Sequence, residues 1–176
     1  MANRKPTTSR ELLLGIAAFG LMLAGVGLLL PRRAPDVQGA LVGKAAPEAT
    51  AETVSGGSWK LADHRGRVVL LNFWAFWCAP CVAEMPSLRQ LEERLSKQAF
   101  DLVLVHVGEG VEEGEQIPSL PRRRVARMPD EIVAAYGIQA LPHSVLIDRE
   151  GRVRAEFAGP QDWTSPEVLA LIEALF

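Results

Sequence analysis

The chain has 176 residues and a mass of 19.2 kDa, which is one ordinary domain plus a small remainder. With 48% hydrophobic residues, 23% charged residues and a formal net charge of −2, it is neither a disordered chain nor a strongly basic nucleic-acid binder. Two cysteines are too few for a disulfide-stapled scaffold, and a mean hydropathy of +0.10 points to an uneven spread of apolar residues.

Residues 1–11 form a polar tail carrying Arg4, Lys5 and Arg10. Leu12–Leu30, LLLGIAAFGLMLAGVGLLL, has no charged residue. As a helix at about 1.5 Å per residue it spans roughly 28 Å, close to the hydrocarbon thickness of a bilayer. A secretory signal has a shorter apolar stretch and a small-residue cleavage site. This one runs into Pro31, Arg32 and Arg33, and is read as an uncleaved transmembrane anchor. The excess of positive charge before the span puts the N-terminus in the cytoplasm and the rest of the chain across the membrane. Met1–Pro35 holds five of the 19 basic residues and one of the 21 acidic ones, so the remainder carries a net charge of −6. Residues 31–42 are read as a linker, and residues 43–176 as one soluble domain large enough for a single core.

Within that domain, Ala51–Leu61 carries a hairpin signal at Gly56 and Gly57. Arg67–Ala75, RVVLLNFWA, is a continuous apolar run of the kind buried on both faces of a parallel sheet. It leads into WCAPC and then an amphipathic helix, in which Val82, Met85, Leu88, Leu91 and Leu95 recur every three or four residues. Pro86 inside that helix predicts a kink. Asp101–Val107 is a second buried strand, which completes a βαβ unit and a parallel pair.

Gly108–Val125 is rich in glycine and proline and is expected to be irregular. Its acidic cluster (Glu109, Glu112, Glu113, Glu115) and the following Arg122, Arg123 and Arg124 are read as solvated surface. Glu131–Tyr136 is a short helix stopped by Gly137, and Ser144–Asp148 and Val153–Ala158 are strands joined by a turn. Ser165–Leu175 is a closing helix with Ser165 as cap and Pro166 at its first position. The expectation is an α/β fold whose central mixed sheet is flanked by helices, with an N-terminal hairpin extension.

Cys78 and Cys81 carry the chemistry. A Cys-x-x-Cys placed after a buried strand and opening a helix sits at a positive helix end, where unpaired N–H groups favour a thiolate. Cys78, at the helix start, is the expected exposed nucleophile, and Cys81, one turn in, the buried resolving thiol. Pro80 stiffens the turn, and Trp77 is expected to shield the pair. Half a zinc site and a purely structural disulfide are the alternatives. The first lacks a second cysteine pair, and the second closes a loop too small to add much stability.

NFWAFWCAPCVAEMP resembles the active-site segment of the TlpA/ResA-like branch of the thioredoxin superfamily, which includes the DsbE proteins. AYGIQALPHSVLIDREGRV is similar to that branch's later half, and FAGPQDWTSPEVLALIEAL to the end of its TlpA-like subgroup. The resemblance implies a thioredoxin-like fold, with Pro142 in a cis peptide bond facing the cysteines. It also implies a thiol–disulfide oxidoreductase tethered to the bacterial inner membrane and facing the periplasm, with no cofactor. Its clients would be apocytochrome c or copper-site assembly proteins, and a membrane carrier of the DsbD/CcdA type would re-reduce it.

Glu84 matches a glutamate of the ResA-like members, and from one turn after Cys81 a partly buried carboxylate there would raise the thiol pKa values and relay a proton. His143 departs from the small hydroxyl or acidic residue usual after that proline. A positive His143 near Cys78 would favour the thiolate, or would help the two cysteines hold copper in a metal-handling protein, which is the alternative function. A peroxidase on the same fold is disfavoured, because FWAFW precedes Cys78 where that class has P-x-x-x-T-x-x-C.

Overall fold

The computed structural model describes residues 39–53, 56–108 and 125–176. The predicted tail and anchor, most of the linker, and the acidic and basic clusters between Gly108 and Val125 lie outside the described residues. Among the described residues no helix is long and apolar enough to cross a membrane.

Seven strands form one mixed sheet among the described residues. In chain order they are β1 (Thr50–Thr53), β2 (Ser58–Lys60), β3 (Val68–Trp74), β4 (Phe100–His106), β5 (Val125–Arg127), β6 (His143–Ile147) and β7 (Val153–Ala158). The spatial order is β2-β1-β5-β4-β3-β6-β7. β3 and β4 pair in parallel from Val68 opposite Phe100 to Trp74 opposite His106. The crossover between them is α1 (Ala79–Arg94), so the βαβ unit is present. β6 and β7 then add antiparallel strands on the other side of β3, and β1 and β2 form the predicted N-terminal hairpin at the far edge. This is the thioredoxin-like α/β arrangement.

Every residue of β3 is buried, as its unbroken apolar run requires. Alternation along the strand divides its side chains between two layers. Val68, Leu70 and Trp74 join Met85, Leu88 and Leu91 of α1, together with both cysteines, in one cluster. Val69, Leu71 and Phe73 join Val105, Tyr136 and Val145 in the other. The helix α1 runs through Pro86 as one element, so the predicted kink does not divide it.

Two shorter helices follow. α2 (Asp130–Ala135) ends at Tyr136 and Gly137, whose φ of +68° is the left-handed conformation that glycine takes most easily. α3 (Pro166–Glu173) begins as its sequence indicates, with Ser165 Oγ accepting the Val168 N–H and Pro166 in the first turn.

The start of β4 is fixed to the chain before β3 by charges. Arg67 donates through Nε and Nη2 to Asp101 and also to the Phe100 carbonyl, and His64 Nδ1 lies 2.7 Å from Asp101 Oδ2. Burial alone would raise the Asp101 pKa, but hydrogen bonds and charge from Arg67 and His64 outweigh it and hold it below the usual 3.8. A depressed carboxylate pKa stabilises the fold above the unfolded-state value, and that stability is lost as pH falls through the folded value. Asp101→Asn is therefore expected to lower unfolding stability by about 1–3 kcal/mol at pH 7. Denaturant titrations should show the difference shrinking below pH 3.8.

Candidate functional site

β3 delivers the site. After Trp74 the chain leaves the sheet, and Cys78 becomes the N-cap of α1 in an extended conformation, with Pro80 in the first turn. Its Sγ accepts the Cys81 N–H at 3.3 Å, and the Cys78 and Cys81 Cα atoms are 5.3 Å apart, joined by a disulfide. Both sulfurs thus sit at the positive end of a sixteen-residue helix, where a thiolate released by reduction is stabilised. The Leu141–Pro142 bond is cis, and His143, the next residue, pairs with Phe73 of β3. Pro142 therefore lies at the same end of the sheet as the chain that leads to Cys78.

Three side chains are placed differently from their sequence reading. Cys78 is buried in this oxidised form at 4% exposure, because its sulfur is bonded to Cys81 inside the cluster on which Phe76 and Leu141 pack. Trp77 does not shield the pair. It is 77% exposed, and the aromatic groups inside are Trp74 and Phe76, whose rings meet edge to face at 4.8 Å. His143 is part of β6 rather than of the loop before it, and opposite Phe73 it shares the sheet face away from α1 and the cysteines. There its Nε2 is 3.5 Å from Glu156 Oε2. Burial lowers its pKa more than the Glu156 charge and contact raise it, so a neutral imidazole, not a positive one, is the neutral-pH form. Among the described residues no group of three His, Cys, Asp or Glu side chains could hold a metal ion.

Glu84 lies in the same buried stripe of α1 as Cys81, and it is 5% exposed. Residues three apart on a helix have Cβ atoms about 5–6 Å from one another, so Glu84 leaves α1 on the same face as the resolving cysteine. Its Oε1 accepts from Asn72 Nδ2 at 2.7 Å, and its Oε2 from the Gln161 N–H at 2.9 Å. Asn72 Nδ2 also donates to Ser144 Oγ at 2.9 Å. Burial raises the Glu84 pKa above the usual 4.5, and the bonds from Gln161 and Asn72 and the nearby Trp163 indole offset only part of that. Sequence reasoning missed Asn72, Ser144 and Gln161. The only signal was Asn72 itself, the single polar residue in the centre of the apolar run VVLLNFW.

A disulfide that caps a helix on a thioredoxin-like sheet, with a cis-proline at the same end of that sheet, defines a thiol–disulfide oxidoreductase. Comparison with known proteins agrees. Residues 42–156 match the AhpC/TSA family. The thiol–disulfide oxidoreductase ResA of Geobacillus thermodenitrificans is 36% identical over 121 residues, which cover 67% of this chain and 70% of that protein. A thiol:disulfide interchange protein DsbE homolog of Paracoccus denitrificans is 33% identical over 180 residues, 95% of this chain and 96% of that protein. The crystal structure of a DsbE-type interchange protein from Chlorobium tepidum superposes with a TM-score of 0.65 at 30% identity, over 76% of this chain and 96% of that one. The chain belongs to the AhpC/TSA family of thioredoxin-like proteins and is a thiol–disulfide oxidoreductase of the ResA/DsbE type.

Proposed function

We propose that the protein is a membrane-anchored, periplasm-facing reductant of client disulfides, acting in cytochrome c maturation or in copper-site assembly of cytochrome oxidase. The observation that carries the redox reading is the Cys78–Cys81 disulfide at the N-terminus of α1, backed by buried Glu84. The apolar run Leu12–Leu30 and its flanking charges support the anchor and its orientation.

In the reduced protein the Cys78 thiolate attacks one sulfur of the client disulfide. A Cys78–client bond forms, and the other client sulfur leaves as a thiolate. Glu84, as carboxylate, takes the proton of the Cys81 thiol. The Cys81 thiolate then attacks Cys78 Sγ, which forms the internal disulfide and releases the second client thiolate. Two electrons pass from the dithiol to the client, and a membrane carrier of the DsbD/CcdA type restores them. Pro142, at the same end of the sheet as the chain that leads to Cys78, is assigned to the client-facing side of the site. The exposed Trp77 next to Cys78 offers it an apolar contact.

Expression of the full chain carrying Cys81→Ser tests this reading, since the Cys78–client disulfide then cannot be resolved. An apocytochrome c or copper-site protein is the expected captured partner, and capture of the substrates of a general oxidase in its place would overturn it. Membrane fractionation tests the anchor. The full chain should stay with the membrane after alkaline extraction, and a chain lacking residues 1–35 should be soluble.

A further inference from the structure

Every described group that meets the Glu84 carboxyl is a donor: Asn72 Nδ2 at Oε1, the Gln161 N–H at Oε2, and the indole N–H of Trp163 close by without hydrogen-bond geometry. That set suits a carboxylate and leaves a proton on Glu84 with no acceptor. Two of the three donors cannot change, because one belongs to the backbone and the other to an indole, which only donates. The third is a carboxamide, with a donor and an acceptor at opposite corners. Asn72 is fully buried, and its Oδ1 has no hydrogen-bond partner among the described residues, although a buried acceptor without a donor is costly. Its other contact is Ser144 Oγ, a hydroxyl that accepts and donates equally well.

We propose that Asn72 is a reversible hydrogen-bond partner of Glu84: its amide donates to the ionised carboxylate as seen here, and turns over about Cβ–Cγ to accept from the protonated acid, with Ser144 reversing its hydroxyl in step. In the turned state Oδ1 receives the Glu84 O–H and the Ser144 O–H, while the two amide N–H groups leave those partners for the place of the idle oxygen. The proton belongs on Oε1, since the fixed Gln161 N–H occupies Oε2. The described hydrogen bonds of the Glu84 carboxyl include no other charged group. His106 sits against Trp74 and Phe76, Asp148 accepts from the backbone of the turn after β6, and Glu156 is paired with His143 on the opposite face. Asn72 is thus a positioning residue that gives the Glu84 carboxyl a hydrogen-bond partner in both protonation states, its own amide N–H groups giving up theirs in the turned state. The proposal rests on the proton relay through Glu84 described above.

The test is an NMR titration of the oxidised full chain, in which no thiol titrates, with the asparagine side chains and the glutamate carboxyl carbons isotopically labelled. As pH falls through the Glu84 midpoint, both Asn72 amide protons are expected to move upfield and its Cγ downfield, with that same midpoint. Glu84→Gln should abolish all three changes. If only the proton facing Glu84 moves while Cγ stays constant, Asn72 is a fixed donor and the proposal is wrong, although the relay stands. If the Glu84 carboxyl does not titrate at all in the folded protein, both the proposal and the relay are wrong.

Discussion

Cys78→Ser is expected to reduce disulfide-reductase activity to the uncatalysed background, whereas Cys81→Ser is expected to stop turnover after a single event. The two residues share one disulfide, yet they occupy different positions on the helix. Cys78 caps α1 and its sulfur receives the Cys81 N–H, so it gains the larger share of the helix-end stabilisation once reduced. Cys81 is fully buried one turn further in, beyond the reach of a folded client. Without Cys78 no bond to the client forms. Without Cys81 one client thiol is released per protein molecule and a mixed disulfide accumulates, and both are measurable with a chromogenic disulfide and by non-reducing electrophoresis. Equal single-event release by both variants would remove the distinction between the two sulfurs.

Glu84→Gln is the second large effect. The substitution keeps the size of the side chain and removes its ability to take a proton. Attack by Cys78 should be unchanged, while release of the client from the mixed disulfide should slow by about 10²-fold, the lower end of what a positioned general base contributes. Rapid mixing followed by acid quench separates the two steps. A stability effect accompanies the kinetic one. Because burial raises the Glu84 pKa, the stability that protonated Glu84 contributes is complete below the unfolded value near 4.5 and lost as pH rises through the folded one. The oxidised wild-type protein should therefore lose stability across that interval relative to Glu84→Gln, which carries no such titration.

The position of Glu84 was legible in the sequence because it stands one turn after Cys81 and matches a glutamate of the ResA-like sequences. In the structure Cys81, Glu84, Leu88 and Leu91 share the buried face of α1, which puts that acidic residue inside. The βαβ unit, the hairpin and the Ser165 cap were legible for similar local reasons. What met Glu84 was not, because Asn72, Ser144 and Gln161 come from three separate segments that only the folded sheet brings together. β5 escaped because three residues, Val125–Arg127, are too few to show alternation, and their pairing with β1 and β4 is long-range. His143 shows how one residue of strand length decides a role. With the strand begun at Ser144, the histidine belongs to the proline loop beside Cys78. Begun at His143, the pleat turns it to the far face and toward Glu156.

The measurement closest to the central claim is direct electron transfer to a defined client. The reduced protein is mixed with a peptide carrying a Cys-x-x-Cys-His haem-attachment sequence as its disulfide, and both redox states are followed by mass. Peptide dithiol should appear in equal amount to Cys78–Cys81 disulfide, and the transfer should be lost in Cys78→Ser. A dithiol that leaves the peptide oxidised, while binding cuprous ion tightly through Cys78 and Cys81, would contradict the account and favour a metal-handling protein.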